Sequence, residues 1–355
     1  MRSNWIACLS AAGLLGACGG GGGSTESSTG AGTQLTPGPT TYIAAKATAG
    51  DYYTFKVDNQ HGTAGSSYTS YSTKLVSSVV ADGASSAKLL LDEPSTIAPG
   101  KFDSNTYPAD YDSLGRWIST QMSCTQTASP PFYEVAPMKV SVGMSWEHKG
   151  TVTNSCDGWK YNLEAKDSAL AMESVTVAAG TFNAIKVSRT SSQSLPDAKL
   201  DIERTCWWEP ELGVEVKCVS NEATTNFKLG TTNTVKRTRE MLGYYNQKLQ
   251  RKADSATRFV GIWRGIYSGV VGAPGHLKVE CVVTVDPDGN IAGSCGGLVI
   301  SFDLKGKVSA DGTLAFTVQQ YPDMSFTGKF DSIQQMSGNW SIPNSSSGAW
   351  SMSQM

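Results

Sequence analysis

Glu280-Cys281-Val282-Val283-Thr284-Val285-Asp286-Pro287-Asp288-Gly289-Asn290-Ile291 reads as one β-hairpin and sets the style of the whole chain. Pro287 suits the first central position of a type I turn, and Gly289 suits the left-handed position that follows. A three-residue loop of this kind makes Asp286 face Asn290. Counting five residues outward on each side puts Cys281 opposite Cys295, within disulfide reach. The same count works at Cys206-Trp207-Trp208-Glu209-Pro210 and Val214-Glu215-Val216-Lys217-Cys218, which flank Glu211-Leu212-Gly213. There Pro210 faces Val214 and Cys206 faces Cys218.

Outward from these hairpins the text stays β. From Tyr42 on, Thr, Val, Tyr and Ser dominate, turn residues interrupt every ~8–12 residues, and no long helical period appears. Gly50-Asp51-Tyr52-Tyr53-Thr54-Phe55-Lys56-Val57 is similar to Gly143-Met144-Ser145-Trp146-Glu147-His148-Lys149-Gly150, each a glycine followed by an aromatic-bearing alternating strand. These two stretches open two similar halves of one domain. Val175 to Val187 reads as strand, turn, strand. Val235 to Tyr245 is ambiguous between helix and strand, and Gly243 with the paired tyrosines favours a last strand.

Residues 259–355 form a separate unit with eight short β segments, beginning near Phe259, His276, Asn290, Ile300, Gly312, Ser325, Gln335 and Ser347. Gly261-Ile-Trp263, Gly338-Asn-Trp340 and Gly348-Ala-Trp350 share a Gly-x-Trp pattern. Gly261, Trp263, Gly265 and Tyr267 alternate small and large on one face, as a tapered barrel interior requires. First and last segments that share a motif fit closure. The expected fold is all-β: an N-terminal antiparallel β-domain of two similar halves at 42–245, a charged linker at 246–258, and a small eight-stranded antiparallel barrel at 259–355. Trp263, Tyr267, Trp340 and Trp350 should fill that barrel as a packed core.

The N-terminus bears on location. Arg2 precedes an apolar run from Ile6 to Ala17 that ends in Leu15-Gly16-Ala17-Cys18, followed by Gly19 to Gly23. This resembles a bacterial lipoprotein signal peptide, with Leu15 to Cys18 matching its lipobox. The resemblance implies removal of residues 1–17, acylation of Cys18, a Gly/Ser-rich tether at 18–41, and anchoring by lipid alone. Gly19 is not the Asp that resembles an inner-membrane retention signal, so the expected place is the outer membrane, facing periplasm or cell surface. Of eight cysteines, Cys8 leaves with the signal and Cys18 carries lipid. Cys124 and Cys156 are then left for each other by elimination. The order of strand pair and aromatic hairpin over roughly 42–245 resembles a group of proteobacterial lipoproteins that carries no known activity. Gly-x-Trp on the first strand of the C-terminal unit resembles the lipocalin/calycin signature, which implies a small lipophilic ligand.

Chemistry is sparse. Net charge is −2, so no basic field invites nucleic acid. Leu89-Leu90-Leu91-Asp92-Glu93-Pro94-Ser95 resembles the Walker B region of ABC-type ATPases, but no phosphate-cradling G-x-x-x-x-G-K-[ST] loop precedes it. Asp286 to Asn290 has a calcium-loop flavour, yet position twelve is Gly297, where an EF-hand needs Glu. Asp103, Asp110 and Asp112 among tyrosines could hold a cation or a sugar; an ordinary polar loop is the plainer reading. His61, His148 and His276 are scattered, no two mature cysteines have zinc spacing, and no G-x-S-x-G or S-x-x-K occurs. Lys248, Arg251 and Lys252 read as a solvated face. No catalytic residue, metal ligand or cofactor is expected. The function expected is a non-enzymatic, lipid-anchored envelope protein with a binding or scaffold role towards an envelope protein or saccharide. The alternatives are a lipophile carrier and a carboxylate-based hydrolase.

Overall fold

The structure, a computed structural model, describes residues 40–62, 65–94, 102–156, 158–253, 259–268, 279–286, 288–296, 301–331 and 335–354. Cys18, residues 19–39 of the expected tether and His276 lie outside the described residues, as do residues 254–258 of the expected linker, whereas Thr41, the tether's expected end, already belongs to a strand. The described residues form strands and turns without an α-helix.

The larger unit holds β1 (Thr41–Ile43), β2 (Tyr52–His61), β3 (Ser67–Val79), β4 (Ser85–Pro94), β5 (Phe102–Tyr111), β6 (Trp117–Gln121), β7 (Thr125–Phe132) and β8 (Lys139–Ser141). It continues through β9 (Ser145–Asn154), β10 (Lys160–Val177), β11 (Gly180–Ser194), β12 (Ala198–Glu209), β13 (Val214–Asn226), β14 (Thr231–Asn246) and β15 (Arg251–Lys252). Two antiparallel meanders, β2 to β7 and β9 to β14, meet at both seams. β7 pairs with β9, and β14 pairs with β2 as well as with β13. The result is a closed, barrel-like ring of twelve strands with β15 attached to the end of β14. The ambiguous segment is thus a strand, and its basic cluster is at the rim, where Arg251 Nη1 bonds Glu211 at 2.9 Å.

The two halves repeat in detail. Gly50 donates to Val76 O and Val76 N returns a bond to Asp51 O, both at 2.8 Å. In the second half Gly143 donates to Ala169 O at 2.7 Å and Ala169 N returns to Met144 O at 2.8 Å. Both glycines have positive φ, 91° and 87°. Both partner strands break register just after, at Val76/Ser78 and Ala169/Ala171. The glycine turns each half into its first long strand, and the irregularity bends the strand it leans on.

At the Cys281 hairpin Gly289 has φ 76°, Asp286 N donates to Asn290 O at 2.9 Å, and Cys281 faces Cys295. The Cys206 hairpin reaches its cysteine pairing by a different path from the simple count. Glu209, not Pro210, faces Val214, and a bulge at Trp207/Trp208 restores the register so that Cys206 faces Cys218. Gly213 closes this turn at φ 68°, where a Cβ would stand 2.5 Å from Ala45 O. The structure bridges Cys206–Cys218, Cys281–Cys295 and Cys124–Cys156.

The smaller unit is a closed barrel of β16 (Gly261–Ser268), β17 (Val279–Val285), β18 (Asn290–Gly296), β19 (Ser301–Val308), β20 (Thr313–Val318), β21 (Ser325–Phe330), β22 (Gln335–Ile342) and β23 (Ser346–Gln354). β16 pairs with β23, with Tyr267 opposite Trp350. The Gly-x-Trp pattern has a packing cause. Across β22 and β23, Gly338 faces Trp350 and Trp340 faces Gly348, so each indole lies over a residue without a side chain. Trp263, Trp340, Trp350 and Tyr267 share one apolar cluster, with Tyr267 edge-on to Trp340 at 5.7 Å.

Candidate functional site

The interior of the large ring is partly apolar and partly ionic. One apolar cluster gathers Trp117, Phe132, Tyr161 and Leu163. Elsewhere, residues 133–138 between β7 and β8 turn inward and act as a plug. Arg189 of β11 donates to Glu134 O at 3.0 Å and Tyr133 O at 2.9 Å. Arg204 of β12 donates to Glu134 O at 2.9 Å. The Glu134 carboxylate accepts from Lys74 of β3 at 3.1 Å and from the Tyr111 hydroxyl at the end of β5 at 3.3 Å. One residue reaches four strands of a ring only from inside it.

Beside the plug lies a cavity of about 80 Å³. Ser72, Lys74, Arg204 and Arg239 line it along with Glu134 and Glu215, and Leu89 and Leu91, which face Lys74 and Ser72 across β3 and β4, add apolar lining with Tyr107 and Trp117. Lys74, Glu134 and Arg239 are inside the molecule yet keep 24%, 20% and 21% of their side-chain surface open. Lys74 Nζ sits 3.7 Å over the Tyr111 ring, and the Arg239 guanidinium 3.6 Å over the Phe55 ring. Arg239 also pairs with Glu215. A second ion pair, Arg237 Nη1 to Glu222 at 2.7 Å, lies two residues along β14. A third, Arg189 to Asp167, is bidentate at 2.7 and 3.1 Å.

Burial sets the protonation balance here. It pushes Arg204 down to about 9, with repulsion from Arg189 adding to it, and Arg239 down to about 10. Guanidinium does not give up its proton in a protein, so these shifts express the cost of holding the charge. Glu222 is pushed up to about 7 by burial despite Arg237, and Asp167 rises for the same reason despite Arg189. Glu134 goes the other way. Burial raises it, but Lys74, Arg239 and Arg204 together hold it below the usual range.

The sign of the linkage follows. An acid with a depressed native pKa stabilises the fold above its unfolded value, near pH 4.5 for Glu134, and loses that contribution as pH falls through the native value. Glu134→Gln is therefore expected to flatten the acid limb of stability below pH 4.5. The urea midpoint measured against pH checks this; an unchanged limb would mean the ionised plug carboxylate adds nothing.

Of the stretches singled out from sequence, the Walker B-like one brings Leu89 to Leu91 to the cavity lining; the polar candidates with described side chains are elsewhere. Glu93 is on β4, with Ser95 outside the described residues. Asp286 caps its own turn, accepting from Asp288 N at 2.9 Å and Asn290 N at 2.7 Å. Asp110 bonds Ser86 and Ser119, and Asp112 bonds Arg116. His61 stacks on Tyr68, while His148 packs on Phe132 six strands round the ring. Among the described residues, no group of three or more His, Cys, Asp and Glu could hold a metal ion. Sequence reading missed the plug and the cationic residues of the cavity. The available signal was alternation: Val235, Arg237, Arg239 and Met241 share a face of β14, and Arg204 and Cys206 share a face of β12.

No family model matches the chain, and no curated protein matches it. Among solved structures it is similar to a Bacteroides fragilis protein of YmcC-like fold, at 12% identity over 56% of this chain and 97% of that one, TM-score 0.35. It is also similar to the lipoprotein YmcC of Escherichia coli, at 12% identity over 53% and 86%, TM-score 0.28. HpuA of Kingella denitrificans, solved with human haemoglobin, aligns at 9% identity over 88% and 90%, TM-score 0.21. Likeness this remote assigns no activity to the chain.

Proposed function

We propose that the protein is a lipid-anchored bacterial envelope protein that binds rather than catalyses, with the large ring as its binding unit. The observation that carries this is the cavity inside the ring, where cationic side chains and a mixed apolar wall face an interior of about 80 Å³. Binding pockets combine a largely apolar lining with a few placed polar groups in this way. In the small barrel, by contrast, Trp263, Trp340 and Trp350 are at most 3% exposed, which argues against the carrier reading of its Gly-x-Trp pattern. The full chain purified from its native envelope, denatured and extracted, should release one small molecule at near-equal molar ratio. Turnover of an ester, glycoside or peptide bond by the purified chain would overturn the reading.

The anchoring half rests on Leu15 to Cys18. Cys18→Ser is expected to move the protein from the outer-membrane fraction to the soluble fraction, because two or more acyl chains are what hold such a protein on a bilayer. A variant that still pellets with membranes after a salt wash defeats the lipid-anchor reading.

A further inference from the structure

Three turns at one end of the large ring each present an apolar tip. Val80 of the β3–β4 turn is 59% exposed, Leu114 of the β5–β6 turn 45%, and Leu249 of the β14–β15 turn 43%. The turns adjoin. Gln247 N donates to Asp51 Oδ1 at 2.7 Å, which ties the Leu249 turn to the stretch running back from Asp51 to Lys46. A Cβ on Gly83 would stand 3.5 Å from Lys46 Nζ and 3.7 Å from Ser113 O, so Lys46 lies beside the turns that carry Val80 and Leu114. Ile43, 71% exposed, is opposite Lys139 where β1 pairs with β8. Scattered exposed apolar residues are ordinary, but neighbouring ones along one rim mark a contact surface.

Charge at this end is uneven. Lys46, Lys139, Lys248 and Lys252 are exposed and make no ion pair among the described residues, whereas Arg116 and Arg251 neutralise Asp112 and Glu211. Asp51 and Glu209 are buried. Asp82 caps its own turn, accepting from Ala84 N at 2.9 Å. Free lysines therefore outnumber free carboxylates on these turns. Apolar tips set among lysines suit an anionic bilayer, because the apolar side chains enter the headgroup layer while the lysines stay with the phosphates.

The described chain also starts at this end. Its first strand is fastened to the rim by Ala44 N to Met138 O at 2.7 Å and Ala45 N to Pro210 O at 2.8 Å. A Gly/Ser-rich tether of the expected length would span about 25 Å on average. Acylation of Cys18 would thus keep this end of the ring nearest the leaflet. The far end is built differently. Phe227 and Leu229 are 58% and 72% exposed on the β13–β14 turn, but Lys228 between them is paired with Asp197 at 2.6 Å.

We infer that this rim is a docking surface for an anionic phospholipid leaflet, with Val80, Leu114 and Leu249 entering the headgroup layer and the four lysines meeting the phosphates. The inference rests on the lipid-anchor reading for what brings the leaflet near, and adds which end of the ring meets it. The Phe227 turn then faces away from the bilayer.

The test uses the mature chain, residues 18–355, carrying Cys18→Ser so that no acyl chain contributes. It is floated with vesicles of phosphatidylglycerol and phosphatidylcholine in equal parts, and with vesicles of phosphatidylcholine alone. The mixed vesicles are expected to bind it at least about tenfold more tightly, because each lysine near an anionic surface adds attraction. About 0.5 M salt should remove that preference, since it shortens the screening length to a few ångströms. Lys46→Gln with Lys248→Gln should weaken binding to mixed vesicles by about fivefold or more. Leu114→Ser with Leu249→Ser should weaken it by about threefold or more. These four side chains are exposed, so both variants keep the fold. Phe227→Ser with Leu229→Ser should change nothing. Equal binding to the two vesicles, binding to neither, or an affinity indifferent to either rim pair overturns the docking surface and leaves the anchor reading standing. Loss of binding with the Phe227 and Leu229 pair puts the lipid contact at the other end and overturns it as well. A Cys18 peptide from the native envelope that carries no acyl mass overturns the anchor reading alone.

Discussion

Trp340→Ala is expected to cost about 3–5 kcal/mol, as large aromatic truncations in cores do. Trp340 is 1% exposed, lies over Gly348, and meets the edge of Tyr267. The glycine across the strand pair has no side chain to move into the hole, so the cavity cannot collapse cheaply. Hydrogen exchange of the full chain reads the effect by strand. Protection should fall across β16 to β23, and Trp340→Phe should restore most of it, since it leaves a smaller void. Loss below about 1 kcal/mol, well under the range for such truncations, would mean that the barrel interior is loosely filled and would return the carrier reading to contention.

Arg189→Met should be as damaging in the large ring, at about 3–5 kcal/mol, because it strands one member of a buried ion pair. The pair is 6% and 1% exposed. The same guanidinium also holds the plug through the carbonyls of Tyr133 and Glu134. Two losses therefore coincide: Asp167 is left without its counter-charge and takes up a proton at higher pH, and the plug loses a clamp. Adding Asp167→Leu to Arg189→Met should recover a substantial part of the loss, since an apolar pair replaces a lone buried acid. If the double variant is no more stable than the single one in urea, the clamp on the plug rather than the stranded charge accounts for the damage.

Local rules carried the strand reading a long way. The Asp-Pro-Asp-Gly-Asn turn sets its own register, and Cys281 meets Cys295 as the count from it requires. The two glycine-aromatic stretches do open two similar halves, because each needs a left-handed residue where its first long strand begins. Eight segments near the expected starts make the closed C-terminal barrel. Closure of the large unit was not legible. It depends on β14 meeting both β13 and β2, and no local pattern states which distant edges will pair. The candidate site was invisible for a related reason. Polar alternation along β3, β12 and β14 looks like a solvated face when the strand is read alone. Lys74 and Arg204 bond a plug supplied from elsewhere in the sequence, and only the closed ring makes the polar face an interior. The misread turn at Pro210 was a smaller failure. A bulge at Trp207/Trp208 compensated for it, leaving the cysteine pairing right and the closing pair wrong.

The seam between β2 and β14 has a temporal side. Arg237 and Asn59, which bond across it, are 178 residues apart in sequence. A chain that folds as it emerges makes β2 first and waits for almost the whole unit before that strand finds its second neighbour. Contacts of such long range slow folding, since loop entropy is spent well before it is repaid. During the wait β2 offers Tyr52, Tyr53 and Phe55 on an open edge to any passing strand. Its period of greatest danger is thus early and ends abruptly, when the last meander strand arrives. Lesions in β14 should accordingly show themselves first as poor yield and clumping during synthesis, and only afterwards as lowered stability of whatever matures.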